Sequence, residues 1–315
     1  MNLRPHSWLA GLWLLAHCAA AAPVRVSFLD TAAAREDTLR ILADAGCVPE
    51  HLAALRKAIL HYYQTPLALD TAAFPPASDG FYEFASIGDF VAAVDTRSLS
   101  YLDHAFEMNC ADAALLLVEP DMDLTADLHT RGDPFFAIQI HPGGHEGLVP
   151  VPSLGEVYAT AHPPGKPPFM AQTLGFEFSD KHRTLEAVFH QYQALPFDTV
   201  ANTIAHETQA ALRRHWTRCG IRFPDPVALV MLHRASTLFH LVVTDHLGVR
   251  VQRDAGFLYL EKTGGRGPFL RIDVQDPADL AAYFSTMTWP DYPFNYMSVN
   301  GDLFLDVPPR PAPAP

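Results

Sequence analysis

The chain has 315 residues, of which 49% are hydrophobic and 18% charged, and its formal net charge is -13 at pH 7. A chain of that length and apolarity carries a large core, which excludes disorder as its main state. An acidic surface repels polyanions, so nucleic acid, teichoic acid and anionic membranes are excluded as favoured partners.

Residues 1–22 read as a signal peptide: Arg4 supplies the positive start, Trp8 to Ala16 the apolar core and Ala19 to Ala22 the small-residue cleavage zone. That core is too short to span a bilayer, and no later stretch reaches the roughly 20 apolar residues that a spanning helix requires. The expected product is an exported protein, periplasmic or extracellular, without a transmembrane segment. Leu15-Ala16-His17-Cys18 has the layout of a lipoprotein cleavage box, but His17 stands where a small residue belongs, which argues against lipidation of Cys18. Residues 23–307 are expected to form a single domain, followed by a proline-rich tail, 308–315.

Cleavage leaves Cys47, Cys110 and Cys219, an odd number in an oxidising compartment. Cys47 and Cys219 each lie at the edge of a helical pattern, and the expectation is a Cys47–Cys219 disulfide with Cys110 as the free thiol. The alternative is three reduced, buried cysteines.

Thr31 to Gly46 and Pro49 to Tyr63 carry leucine and isoleucine at helical spacing and predict an α-hairpin. Ile87 to Thr96 predicts a short helix, and the Cys110 segment ends at Glu119-Pro120-Asp121. Strands are predicted at Phe135 to Ile140, Glu156 to Ala161 and Ala171 to Phe178, then helices near Lys181 to Gln193 and Thr199 to Cys219. The last third turns to strands, at Val227 to Leu232, Leu238 to Thr244, Val249 to Gln252, Phe257 to Glu261 and Phe269 to Val274. Asp245-His246-Leu247-Gly248 reads as a hairpin turn between two of them. Asp276-Pro277 caps a helix to Thr286, and a short strand near Leu303 to Asp306 precedes the tail. Helices first and an antiparallel sheet last predict an α+β domain.

The candidate chemistry centres on Cys110. Asn109-Cys110-Ala111-Asp112 opens an apolar run to Val118, so the thiol starts a helix, where the helix dipole favours a thiolate. A histidine-headed strand, Phe239-His240-Leu241-Val242-Val243, follows about 130 residues later and makes His240 the expected base. Strand alternation puts Phe257, Tyr259 and Glu261 on one face, and Glu261 is the expected group orienting the imidazole, ahead of Asp245 and Asn300. Backbone N–H groups of Cys110 and Ala111 are candidate oxyanion donors, with Asn109, His104 and Tyr101 as side-chain candidates. The competing reading of Cys110 and His240 is a small buried hydrophobe and a core histidine.

The Asn109-Cys110 helix, the His240 strand, Phe257-Leu258-Tyr259-Leu260-Glu261-Lys262 and Phe294-Asn295-Tyr296-Met297-Ser298-Val299-Asn300-Gly301 together resemble a bacterial secreted family, domain-of-unknown-function family 4300. That family resembles the papain-like (NlpC-type) cysteine hydrolases, which include bacterial cell-wall peptidases. The resemblance implies a papain-like fold with Cys110 as nucleophile and His240 as base. Ala111 departs from the basic residue expected just after the cysteine.

The expectation is therefore an exported cysteine peptidase or amidase that cleaves an amide bond through an acyl-thioester on Cys110. Its substrate is expected to be a peptide, with peptidoglycan stem peptides the favoured class. The alternative is a non-catalytic binding or structural protein of the cell envelope on the same scaffold. No cofactor or metal is expected. His141 and His145 of His141-Pro142-Gly143-Gly144-His145-Glu146 have zinc-binding composition but no helical spacing to set a geometry. His206-Glu207 lacks the second histidine of a helical zinc-protease motif and reads as helix surface. Gly264-Gly265-Arg266-Gly267 reads as a turn.

Overall fold

Every residue of Phe257–Lys262 is buried, so this strand is covered on both faces and lies within a sheet rather than along its rim. The computed structural model describes residues 23–64, 79–93, 108–124, 135–140, 146–151, 192–194, 204–223, 225–236, 241–263, 267–287 and 294–307, with a few single positions between them. Within these the strands are β1 (Val24–Ser27), β2 (Tyr82–Phe84), β3 (Asp123–Leu124), β4 (Phe135–Ile140), β5 (Glu146–Val151), β6 (Tyr192–Ala194) and β7 (Ile221–Arg222). They continue as β8 (Val227–Ser236), β9 (Leu241–Gln252), β10 (Phe257–Lys262), β11 (Phe269–Val274), β12 (Phe294–Val299) and β13 (Asp302–Val307). The α-helices are α1 (Ala32–Asp44), α2 (Pro49–Gln64), α3 (Ile87–Ala93), α4 (Cys110–Val118), α5 (Ile204–Cys219) and α6 (Pro277–Ser285).

Nine of the described strands form one large antiparallel sheet in the order β13-β12-β8-β9-β10-β11-β1-β2, with β6 also paired to β9, while β3 pairs with β7 and β4 with β5 in two separate two-stranded sheets. Alternation sends Leu229, Met231, Leu247, Val249, Leu258 and Leu260 into a core shared with α1, α2 and α4. The other face sends Val230, Leu232, Tyr259, Leu270 and Ile272 into a second core closed by α3 and α6. Helix α4 packs against β8, β9 and β10, and all nine of its residues are buried except the half-buried Asp112. The architecture is α+β, a mixture of helices with an antiparallel sheet. No helix among the described residues is long and apolar enough to cross a membrane.

Local signals place most of these elements where the sequence predicts them. Thr31 caps α1 by accepting from the Ala34 N–H, and Asp276 caps α6 by accepting from the Ala278 N–H, with Pro277 in the first helical position. Strands β4 and β11 keep their predicted bounds. Strand β1 is additional to the prediction, and it pairs with β11 on one side and β2 on the other. The predicted signal peptide, the proline tail, and most of the strands at 156–161 and 171–178 lie outside the described residues.

The predicted hairpin turn at Asp245–Gly248 is corrected. Those four residues lie inside the continuous strand β9, which runs from Leu241 to Gln252. Against β8, Leu232 is opposite His246 and His233 is opposite Thr244, so Asp245 is the extra residue of a β-bulge. The bulge accommodates a polar residue in mid-strand: Asp245 stays partly exposed and forms an ion pair with the buried Arg234. It also reverses the alternation. Val242 and Thr244 pair with Ala235 and His233, which alternation along β8 puts on the face of Leu229 and Met231, whereas His246 and Gly248 pair with Leu232 and Val230 on the α6 side.

Candidate active site

Helix α4 begins at Cys110 because Asn109 and Asp112 form a capping box. The Asn109 side chain accepts from the Asp112 N–H at 2.8 Å, and the Asp112 carboxylate accepts from the Asn109 N–H at 3.0 Å. Cys110 thus occupies the first helical position, beside the positive end of the helix dipole, and is 8% exposed. Asn109 serves as the cap here, which is a structural role distinct from the oxyanion role expected of it. Replacing Asn109 with alanine is expected to cost about 1 kcal/mol of stability, read from urea unfolding, because one first-turn amide loses its acceptor.

The histidine that meets this thiol is His246. Its imidazole hydrogen-bonds the Cys110 side chain, and its Nε2 lies 2.7 Å from Glu261 Oε2. With Nε2 engaged by the carboxylate, Nδ1 is the nitrogen left for sulfur. His240, the expected base, lies outside the described residues, as do His104, Tyr101, His141 and His145. Helix α4 and His246 belong to opposite sides of the sheet. They meet where β9, still paired with β8 on one edge, has no strand on its other edge among the described residues, between its pairing with β6, which ends at Val243, and its pairing with β10, which begins at Gly248.

Glu261 lies where alternation along β10 predicts it, on the face that carries Tyr259. It is 2% exposed and accepts from three side chains: His246, Tyr259 Oη at 2.6 Å on Oε2, and Tyr283 Oη at 2.5 Å on Oε1. Tyr283 comes from α6, and its neighbour Phe284 meets the His246 ring edge to face at 5.9 Å. Burial pushes the His246 pKa down, but the charges of Glu261 and Cys110 and the hydrogen bonds to both outweigh it, and the imidazolium is held well above its usual range. Burial and the Glu261 charge push both tyrosine hydroxyls well up, so each stays a protonated donor.

The other candidates serve structure. Asp245 is the ion-pair partner of Arg234, and Asn300, at a positive φ of 49°, accepts from the Leu229 N–H at 2.8 Å. Cys47 is a free buried thiol that donates to the Leu117 carbonyl at 3.7 Å, and the side chain of Cys219, its expected disulfide partner, lies outside the described residues. Burial and then the Asp121 charge push the Cys47 pKa up to about 12. His206 lies exposed on α5, as predicted. His233 is a core histidine between Ser298 and Thr244, stacked on Tyr296, and burial lowers its pKa to about 3. Among the described residues no group of three or more His, Cys, Asp or Glu side chains is arranged to hold a metal ion.

Sequence reasoning missed His246, Tyr259 and Tyr283 as site residues. The available signal was the polar string Thr244-Asp245-His246 between apolar runs, since a strand that carries charge into a core does so for a partner. Comparison with protein-family models, with curated proteins and with solved structures gives no match to the chain.

Proposed function

We propose that this protein is a cysteine hydrolase of papain-like fold that cleaves an amide bond, with Cys110 as nucleophile, His246 as base and Glu261 as the orienting carboxylate. The observation that carries the reading is the continuous chain of contacts from a helix-terminal thiol through an imidazole to a buried carboxylate. A thiolate paired with imidazolium attacks the carbonyl carbon, and the oxyanion forms beside the first amides of α4, which have no acceptor within the helix. His246 then gives its proton to the leaving amine, which departs and leaves an acyl-thioester on Cys110. Water attacks that ester while His246 takes its proton, releasing the acid and restoring the thiol–imidazole pair.

Peptidoglycan stem peptides are the proposed substrate class, resting on the expected export of the chain and on an acidic surface that disfavours polyanions. The test has two parts. Iodoacetamide near neutral pH is expected to alkylate Cys110 in preference to Cys47, whose buried thiol ionises only near pH 12, with peptide mapping as the readout. Incubation with soluble stem peptides is expected to release new amino groups, and Cys110→Ala to release none. Equal, slow labelling of both cysteines with no amine released would favour a binding protein on this scaffold.

A further inference from the structure

Resting on the proposed hydrolase reading, we propose that Tyr259 and Tyr283 are positioning residues that hold the Glu261 carboxylate against His246, so that the imidazole stays paired and aimed at Cys110. A carboxylate excluded from water gains a proton unless hydrogen bonds replace its hydration. Glu261 is 2% exposed, and its oxygens receive the two phenol donors at 2.6 and 2.5 Å besides the imidazole at 2.7 Å. The donors come from separate elements, Tyr259 from β10 itself and Tyr283 from α6 on the facing layer.

The arrangement is built for this contact. Tyr259 reaches Glu261 by lying over Gly248, where a Cβ would stand 2.5 Å from its hydroxyl oxygen and 2.6 Å from its ring. Tyr283 is fully buried, so its hydroxyl has exchanged water for the carboxylate. The groups facing Glu261 are His246 from β9, Tyr259 from its own strand, Tyr283 from α6 and Cys110 from α4. Its cross-strand partners Gly248 and Leu270 carry no charge.

The phenols are neutral donors, so they fix the carboxylate without bringing a competing charge to it. Without them the carboxylate is no longer held against the ring, His246 loses its strongest charge partner, and Cys110 behaves more like an unassisted thiol. The consequence is specific to pH. The acid limb of Cys110 reactivity moves to higher pH, whereas a packing defect lowers the rate equally at every pH.

The experiment measures the rate of iodoacetamide alkylation of Cys110 from pH 4 to 9 in the wild type, Tyr259→Phe, Tyr283→Phe and the double variant, with His246→Ala as reference. The acid limb is expected to rise by about one pH unit for each hydroxyl removed, with the neutral plateau less affected. Profiles that overlay the wild type after scaling overturn the tyrosine proposal while leaving the dyad intact. Wild-type labelling that does not depend on His246 overturns the hydrolase reading instead. If the double variant does not fold, the two single variants decide between the same outcomes.

Discussion

Replacement of His246 by alanine is expected to slow alkylation of Cys110 by iodoacetamide at pH 7 by up to about 30-fold. An unassisted thiol with a pKa near 8.5 is only about 3% ionised at that pH, and the thiolate is the reactive form. The dipole of α4 acts on Cys110 in both proteins, so the difference isolates the imidazole. The variant is also expected to be less stable, because the buried Glu261 carboxyl loses its imidazole partner. The sign of the pH dependence follows from the raised pKa of His246. A raised folded pKa contributes stability that is fully present below the unfolded value of about 6.5 and is lost as pH rises through the folded value. The stability gap between wild type and variant should therefore be widest in mild acid and close only in alkali. A gap that widens with pH, in urea titrations across the range, would contradict the assigned charge state.

The second large effect is expected at Gly248. Its added methyl in Gly248→Ala would meet Tyr259 at 2.5 Å from the hydroxyl and 2.6–2.7 Å from the ring carbons. Tyr259 is fully buried and tied to Glu261, so it yields only by giving up that bond. Overpacking and a lost bond to a charged acceptor together are expected to cost about 2–4 kcal/mol. Urea unfolding measures the cost, and Cys110 labelling should slow in parallel. A fully stable variant would mean that Tyr259 has room to move without loss.

The legible half of the site was local. Asn109 and Asp112 announce a helix start three residues apart, and Cys110 inherits its position from them. Glu261 follows from simple alternation along Phe257–Lys262, a strand without irregularity. His246 was hidden because Asp245-His246-Leu247-Gly248 has the composition of a turn. Each residue has a tertiary reason to sit in a strand instead: Asp245 bulges outward to Arg234, His246 answers Glu261, Leu247 enters the first core, and Gly248 clears space for Tyr259. Those reasons come from β8 and β10, not from the neighbouring positions that turn propensity weighs. Strand β1 was missed for a related reason, since four residues beside a presumed cleavage zone carry little pattern, and their partners lie about 250 residues away on β11 and about 60 away on β2. The Tyr283 contact joins α6 to β10 and has no signature in either segment alone.

The bulge at Asp245 makes β9 a strand with two phases. Residues before it place even-numbered side chains in one layer, and residues after it place odd-numbered ones there, so each half is correct only while the count between them is kept. Losing one residue there would not shorten a loop. It would turn one half over, presenting Leu247, Val249 and Val251 to the wrong layer or carrying Val242 and Thr244 out of theirs. The strand that presents His246 is thus protected by its core against insertion and deletion, and the bulge residue itself is tied to the buried Arg234. Variation in this protein's relatives should accordingly spare the spacing from Thr244 to His246, and any change at position 245 should come together with a change at Arg234.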